Sequence, residues 1–583
     1  MIIATPVLGL LILFGAAVST EAAALHSREH AQISDRLLVP DSASAVKHAH
    51  DIFNQLNSAG RQWGSSLNHN GLGFFPAIIP AGTLIYHGDH TSQPPTRVEW
   101  LSFEVEHAEA FASSHREFPP RPETAPMRPI IHVQAASQRP LRSNAVSEHH
   151  TAHDHAARRG RSVGAQGVPE CPPDGCRNLR GYLQTYQAAR DLRVLYLDGM
   201  AAAKTAMGTL DSQDLVLCEG RIGNITDDFD LGEERRANML CDMLGNWGYD
   251  GAVRMEVGFE LLYCDFGRGL DFLSARRTFF PQGKLSDERH QLFRLARAAA
   301  ERYDGIGDGR LRIDFSSIVS GWLFPINITN TDPGRPDLPR FGSVVQIDLK
   351  AVKNHVARAC TSPRRFTVDW QAVTDSIVKR FSRRFVLMAS PDCSIYDFIE
   401  EIESATLTYV DAPRLSGDTS SIPSTDGESN GPPAQSTTEE VSRCTKHFLL
   451  PALKSKNKWK LEDELLYTAI ETVSHDICMV LFSIRAGLLD ASSDPESEGY
   501  RVSTSSPDER LGNAVEEGRV TIQQLIQKLG WTEFKKVSPC RADEVMFTAM
   551  WPMGNDEDHF HPGCVRENEF DSSRLDYWDL PAD

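Results

Sequence analysis

The chain has 583 residues, 41% hydrophobic and 24% charged, and its 60 Lys and Arg against 79 Asp and Glu leave a formal net charge of -19. That length accommodates roughly two to four domains with ordinary cores, and the acidic balance repels phosphate backbones and anionic lipid, so nucleic acid is not an expected partner. Eleven cysteines suit a few structural bridges in an exported protein rather than a disulfide-dense scaffold, with at least one thiol left over.

Residues 1–24 read as a signal peptide. An apolar core from Pro6 to Val18 precedes Ala17-Val-Ser19 and Glu21-Ala-Ala-Ala24, whose small residues suit a signal peptidase, although no Lys or Arg stands before the core. The expected localisation is secreted, with cleavage between Thr20 and Leu25. No later apolar run approaches the ~20 residues a bilayer span needs. The sequons Asn224-Ile-Thr226 and Asn327-Ile-Thr329 are candidate glycosylation sites.

Taken in order, Ala43 to Leu56 has the spacing of one helix, and Arg61 to Gly71 packs Gly, Ser and Asn around Trp63 as a loop that either approaches a ligand or turns the chain twice. Ala81-Gly-Thr-Leu-Ile-Tyr-His87-Gly88 is an apolar run ending in Tyr-His-Gly; Glu99 to Glu104 follows as an aromatic strand, and His107 to Ala112 as a short helix. This is the densest structural pattern in the chain and its candidate ligand site. Residues 113–178, rich in Pro, Arg, Ser and His, read as a disordered insertion. It carries His149, His150, His153 and His155, the dibasic pair Arg158-Arg159, and Cys171 and Cys176, which can close a small loop.

Leu192 to Leu197 reads as a strand, Met200 to Met207 as a helix, Glu233 to Leu244 as a helix, and Ala252 to Phe266 as one or two strands with Gly258 a candidate bulge. The expected fold class is α+β: a mixed domain over residues 43–280, a helical region over 281–410, a disordered linker over 411–441, and a helical region over 442–583 with a disordered loop over 490–510. Helical periodicity marks Glu288 to Tyr303, Trp370 to Ala389, Tyr396 to Glu403 and Lys460 to Leu489, the last a candidate central core helix. Cys540 and Cys564 bracket Trp551 to His561, and a disulfide between them would contribute about 3 kcal/mol in the chain-entropy estimate. Asp556, Glu557, Asp558, His559 and His561 offer oxygen and imidazole ligands, but a solvated acidic turn explains them better, and no metal site is assigned.

Two resemblances bear on function. Arg61 to Gly71, Pro80 to Gly88, Glu99 to Phe103 and Leu195-Tyr-Leu-Asp-Gly-Met200, and more loosely Val257 to Phe266 and Trp551-Pro-Met-Gly554, resemble a family of secreted filamentous-fungal proteins with no assigned activity. The same N-terminal stretch resembles the ADP-ribosyltransferase fold. Tyr86-His87-Gly88 looks like that fold's first strand end, Trp100 to Phe111 like its middle strand and helix, and Phe259-Glu260-Leu-Leu-Tyr263 like its last strand.

The resemblance implies NAD as the bound nucleotide, His87 on a ribose, Trp100 or Phe103 beside nicotinamide where the family usually has Tyr, and Glu260 stabilising an oxocarbenium-like transition state. Glu256 and Glu260, if on one continuous strand, would lie about 13 Å apart at ~3.3 Å per residue. The alternative is a secreted binding or interaction protein without catalysis, in which His87 is a strand-end histidine bonded to backbone, Glu260 an edge charge, and Trp100 and Phe103 core. Hydrolase chemistry has little to stand on: Gly64-Ser-Ser-Leu-Asn-His69 is not a nucleophile elbow.

Overall fold

The computed structural model describes residues 38–117, 177–222, 232–280, 287–303, 306–307, 309–411, 437–492, 509–537, 539–570 and 577–578. The stretch read as a signal peptide, most of residues 113–178 with the histidines, dibasic pair, Cys171 and Cys176, the sequon at Asn224, and most of the stretches 411–441 and 490–510 lie outside these residues; the expected linker ends earlier than 441, because residues 437–441 are already helical.

The mixed α/β character holds. Three short helices, α1 (Ser42–Lys47), α2 (Ala49–Ser58) and α3 (Gln62–Leu67), lead into β1 (Gly73–Ile79), β2 (Leu84–Asp89), β3 (Glu99–Ser102) and α4 (Val105–Phe111). A small ladder of β4 (His115–Glu117) and β5 (Arg177–Leu179) follows, then β6 (Tyr182–Ala188), β7 (Leu192–Leu197), α5 (Glu233–Asn246), β8 (Gly251–Met255), β9 (Phe259–Tyr263) and β10 (Leu270–Arg277). The main sheet has ten strands in the order β10-β6-β2-β3-β9-β8-β7-β1-β11, with β11 (Arg312–Ile313) closing one end and β12 (Val319–Ser320) also pairing β1. β7 and β8 pair in parallel; the other ladders are antiparallel. The sheet thus takes strands from beyond residue 280, because β1 would otherwise be an open edge.

The helical region follows as α6 (Glu288–Arg297), α7 (Gln346–Thr361), α8 (Trp370–Ala389), α9 (Ile395–Thr406), α10 (Thr437–Lys446), α11 (Leu461–Ala491) and α12 (Glu509–Leu529). The 31-residue α11 is the core helix its periodicity predicts, packing on α1, α2, α9, α10 and α12 with Leu465, Ile470, Val473, Ile477 and Leu481 buried. By length and composition alone it would also qualify to cross a membrane, and 56% of its apolar window is buried inside the protein. Its first turn carries Asp463, fully buried, which accepts from Ser316 Oγ (2.6 Å), Trp370 Nε1 (3.0 Å) and Arg365 Nη1 (3.1 Å). A carboxylate there also suits the positive end of the helix dipole. The C-terminal segment adds β13 (Glu544–Phe547), α13 (Asp556–Phe560) and β14 (Gly563–Arg566), with Cys540 bonded to Cys564. Two further disulfides, Cys241–Cys264 and Cys444–Cys478, tie α5 to the end of β9 and α10 to α11.

Three local expectations are corrected. The single helix over Ala43–Leu56 is two helices broken at His48 (φ -108°, ψ 27°). Arg61–Gly71 is largely helix, because Gly64 and the small Ser65 let α3 press against Ser58: a Cβ on Gly64 would lie 2.5 Å from the Ser58 side chain. Met200–Met207 forms turns, since the Thr209 and Thr205 hydroxyls bond the Ala203 carbonyl and the Met207 amide and compete with a helix.

Candidate functional site

Side chains alternate across a strand, and residues paired across a ladder share a face. Tyr86, Ser102, Glu260 and Arg254 are successive partners on β2, β3, β9 and β8, so all four project to one face. Gly88 lies on that face too, because α4 crosses it so closely that a Cβ there would sit 2.0 Å from the Ala108 carbonyl. The helix brings His107 and the preceding Glu104, both buried, over the same strands. β8 and β9 are joined by the tight turn Glu256–Gly258, closed by the Glu256 amide on the Gly258 carbonyl (3.1 Å), and the turn returns Glu256 to the side occupied by Glu260. The two glutamates therefore flank a hairpin turn instead of sitting 13 Å apart along one strand.

A buried ionic cluster results. Arg254, fully enclosed, donates to Glu260 Oε1 through Nε (3.0 Å) and Nη2, to Glu233 Oε1 through Nη2 (2.5 Å), and to Gln213 Oε1 through Nη1 (2.8 Å). Arg236, also fully enclosed, spans Glu233 Oε2 (2.7 Å) and both oxygens of Asp214 (2.6 and 2.8 Å). Gln213 and Asp214 come from a π-helical turn over Ser212–Leu217, a widened turn often found at functional sites. Lys204 Nζ reaches Glu256 Oε2 (3.3 Å), whose Oε1 faces His107 Nε2 (3.4 Å). The Trp551 ring from the C-terminal segment lies over Lys204, its centroid 5.2 Å from Nζ.

These contacts separate the two hairpin carboxyls. Burial opposes ionisation of Glu256, but the Lys204 ammonium and then the His107 contact outweigh it and hold the carboxyl down at about 2. Burial raises Glu260, and repulsion from Glu256 and Glu233 adds to it against the pull of Arg254. For Glu233 burial is overcome by Arg254, Lys204 and Arg236, and its carboxyl is lowered. His107 is raised, because Glu256 outweighs the effect of burial. Its Nδ1 and Glu104 Oε2 are buried without a hydrogen-bond partner, and a Cβ on Gly258 would come within 3.1 and 2.9 Å of them. Gly258 is thus the backbone floor under this pair.

Of the residues the sequence singled out, Glu260 stands at the centre of this cluster. Trp100, two residues before Ser102, shares its face and is half-buried. His87, adjacent to Tyr86, points to the opposite face, where Nδ1 meets the Trp100 carbonyl (2.7 Å) and the ring packs against Phe266. Strand alternation therefore does not bring His87 and Glu260 together. Phe103 is core, with the Arg310 guanidinium 5.8 Å from its ring. Asn327 is exposed, and Cys540 and Cys564 are joined. Among the described residues no group of three or more His, Cys, Asp or Glu is arranged to hold a metal ion, the acidic turn at 556–561 included. The residues missed from the sequence are His107, Lys204, Glu233, Arg236 and Arg254. The usable signal was Arg254, a charge set inside the apolar strand Ala252-Val-Arg-Met255.

The class defined is a mixed α/β sheet protein with a buried ionic cluster on one sheet face. Residues 43–290 match the family described as the YPL277C N-terminal domain, which covers the sheet up to β10. Two relatives come from Saccharomyces cerevisiae: uncharacterized protein YOR389W, 26% identical over 90% of this chain and 85% of its own length, and uncharacterized protein YPL277C, 34% identical over 37% of this chain and 40% of its own. The chain is thus similar to an uncharacterised family, and the first relative aligns with nearly the whole of it. No solved structure matches the chain.

Proposed function

We propose that the protein is a secreted enzyme of the ADP-ribosyltransferase or NAD glycohydrolase type, with its chemistry at Glu256 and Glu260. The observation that carries the reading is the hairpin that turns two carboxyls to one side and drives their proton affinities apart, the arrangement that divides roles between two acids in one site. NAD is consumed as a substrate: the bond from ribose C1′ to the nicotinamide nitrogen breaks, nicotinamide leaves with the bonding pair, and an acceptor hydroxyl or water adds to C1′. Glu256 stays ionised and faces the positive charge that develops at C1′. Glu260, with the higher proton affinity, takes the proton from the incoming hydroxyl. His87 has no part in this scheme. Three disulfides and the exposed Asn327 support export.

A second reading, a secreted binding protein without catalysis, draws on the fact that Glu233, Glu256 and Glu260 each already have a cationic partner. The deciding measurement is nicotinamide release from NAD by the purified chain beside Glu256→Gln and Glu260→Gln. Turnover by the wild type and a loss of about 100-fold or more in each variant is expected; no turnover selects the binding protein, and equal turnover in all three rejects Glu256 and Glu260 as the catalytic residues.

A further inference from the structure

The C-terminal residues Tyr577 and Trp578 are tied to the cluster through a chain of contacts that runs over two buried histidines. His69 is fully enclosed, its ring 5.2 Å from that of His559, 5.1 Å from Trp578 and 5.9 Å from Tyr577. His559 stacks on Tyr577 at 4.8 Å. Tyr577 donates its amide to the Gly554 carbonyl (3.1 Å), and Trp578 donates Nε1 to the Met553 carbonyl (3.0 Å). Met553 and Met550 exchange amide hydrogen bonds (2.8 and 2.7 Å), which shapes the loop that carries Trp551 over Lys204. The box of His69 and His559 thus holds Tyr577 and Trp578, these two residues hold the Gly554 and Met553 carbonyls, and the loop carries Trp551 over Lys204.

We propose that His69 and His559 form a pH-sensitive latch that keeps Tyr577 and Trp578 docked, and Trp551 over Lys204, while both rings are neutral. The charges around the box decide the sign. His69 faces His559, the Arg335 guanidinium and Asp337, with the Ser66 carbonyl also towards the ring. His559 faces Asp337 (3.8 Å), Lys535 and Arg335. Among the described residues Asp337 is the carboxylate that acts on both histidines, and Arg335 already pairs with it (3.1 Å) while also donating to the Tyr577 hydroxyl (2.8 Å). Asp556, on the helix of His559, acts on Tyr577. A proton on either buried ring therefore adds a positive charge beside the half-buried Arg335 and the exposed Lys535, against the single negative charge of Asp337 that Arg335 already pairs. Burial is the largest influence on both histidines, and both are lowered from the ordinary value.

A group held below its unlatched pKa stabilises the closed form fully above that value and progressively less as pH falls beneath it. Below about pH 6.5, each histidine makes opening progressively more favourable, by at most about tenfold per pH unit and only until its own lowered pKa is reached. The test is native-state amide exchange of the full chain from pH 8 to pH 5, corrected for intrinsic rate, at Tyr577, Met550 and Met553. Protection should be level down to about pH 6.5 and then fall, by up to about tenfold per unit for each histidine, in parallel at all three amides, with His69→Phe and His559→Phe each flattening the slope. Flat wild-type protection overturns the latch, whether or not the variants fold. An unchanged slope in both variants overturns the assignment to these histidines. Release of Tyr577 with Met550 and Met553 still protected overturns the link to Trp551. None of these outcomes depends on which reaction the ionic cluster serves.

Discussion

Replacing Arg254 by Met tests whether the cluster is the organising feature of the sheet domain. Met fills much of the same space without charge, but its introduction leaves Glu260 and Glu233, both buried, without the guanidinium that Arg254 gives to each. Breaking a buried pair from one side costs about 3–5 kcal/mol, a large share of a total stability of about 5–15 kcal/mol. Urea unfolding at pH 7, followed by tryptophan fluorescence and circular dichroism, should show a loss of that size. The pH dependence carries a second signature. In the wild type Glu233 and Glu256 are held low, so their contribution is present at neutral pH and disappears only as pH falls through those lowered values. In Arg254→Met Glu233 keeps Arg236, but the orphaned Glu260 takes up a proton more readily folded than unfolded, so stability should rise as pH is lowered from 7 to 5. Adding Glu260→Gln, which leaves the Glu233–Arg236 pair intact, should restore a large part of the loss at pH 7. A single-variant loss under about 1 kcal/mol, or a double variant no more stable than the single, would refute the reasoning.

Two other changes probe the supports of the site. Gly88→Ala places a methyl 2.0 Å from the Ala108 carbonyl; moving α4 off the sheet should cost about 1–3 kcal/mol, read as a lowered urea midpoint, with an unchanged midpoint counting against the close approach of helix and strand. Cys540→Ser with Cys564→Ser opens a bridge between residues 24 apart; a loss of about 3 kcal/mol is expected, and the same midpoint with and without reductant in the wild type would show that the bridge contributes nothing.

What the sequence made legible follows from period. Trp370–Ala389 and the α11 stretch carry three-to-four-residue apolar spacing long enough to specify both element and buried face, and Leu192–Leu197 is a short apolar run that specifies a strand buried on both sides. The candidate site was legible only in part, because a side chain's face depends on register. His87 and Glu260 look like partners in chain order, yet the ladder runs through Tyr86, and one residue of offset turns His87 away. His107 sat in the same conspicuous stretch without an apparent role. It acquires one only when Gly88 and Gly258 let α4 and the β8–β9 turn close on each other. Met200–Met207 was misread as a helix because hydroxyl bonds do not announce themselves as a period, and the π turn at Ser212–Leu217 drew no reading at all.

The same dependence on distant contacts argues that the N-terminal sheet region is not a free-standing unit, although the family match ends at residue 290. Ile52, Phe53 and Leu56 on α2 are fully buried, and α2 packs on α8 and α11; Phe53 stacks on Trp531 at 5.6 Å. His50 meets Asp476 (2.9 Å), Asn54 donates to the Leu529 carbonyl (3.0 Å), and Trp63 Nε1 donates to the Thr532 carbonyl (3.1 Å). Stopping at residue 290 would also remove β11 and β12 and leave β1 an open edge. Exposing three such side chains costs roughly 5–9 kcal/mol, comparable with the whole stability of a domain. A 43–290 fragment should therefore lack a near-ultraviolet circular dichroism signal and a cooperative urea transition. A fragment that shows both, at a midpoint within error of the full chain's first transition, would mean that α1 to α3 are held by the sheet alone and that the C-terminal helices add no stability to it.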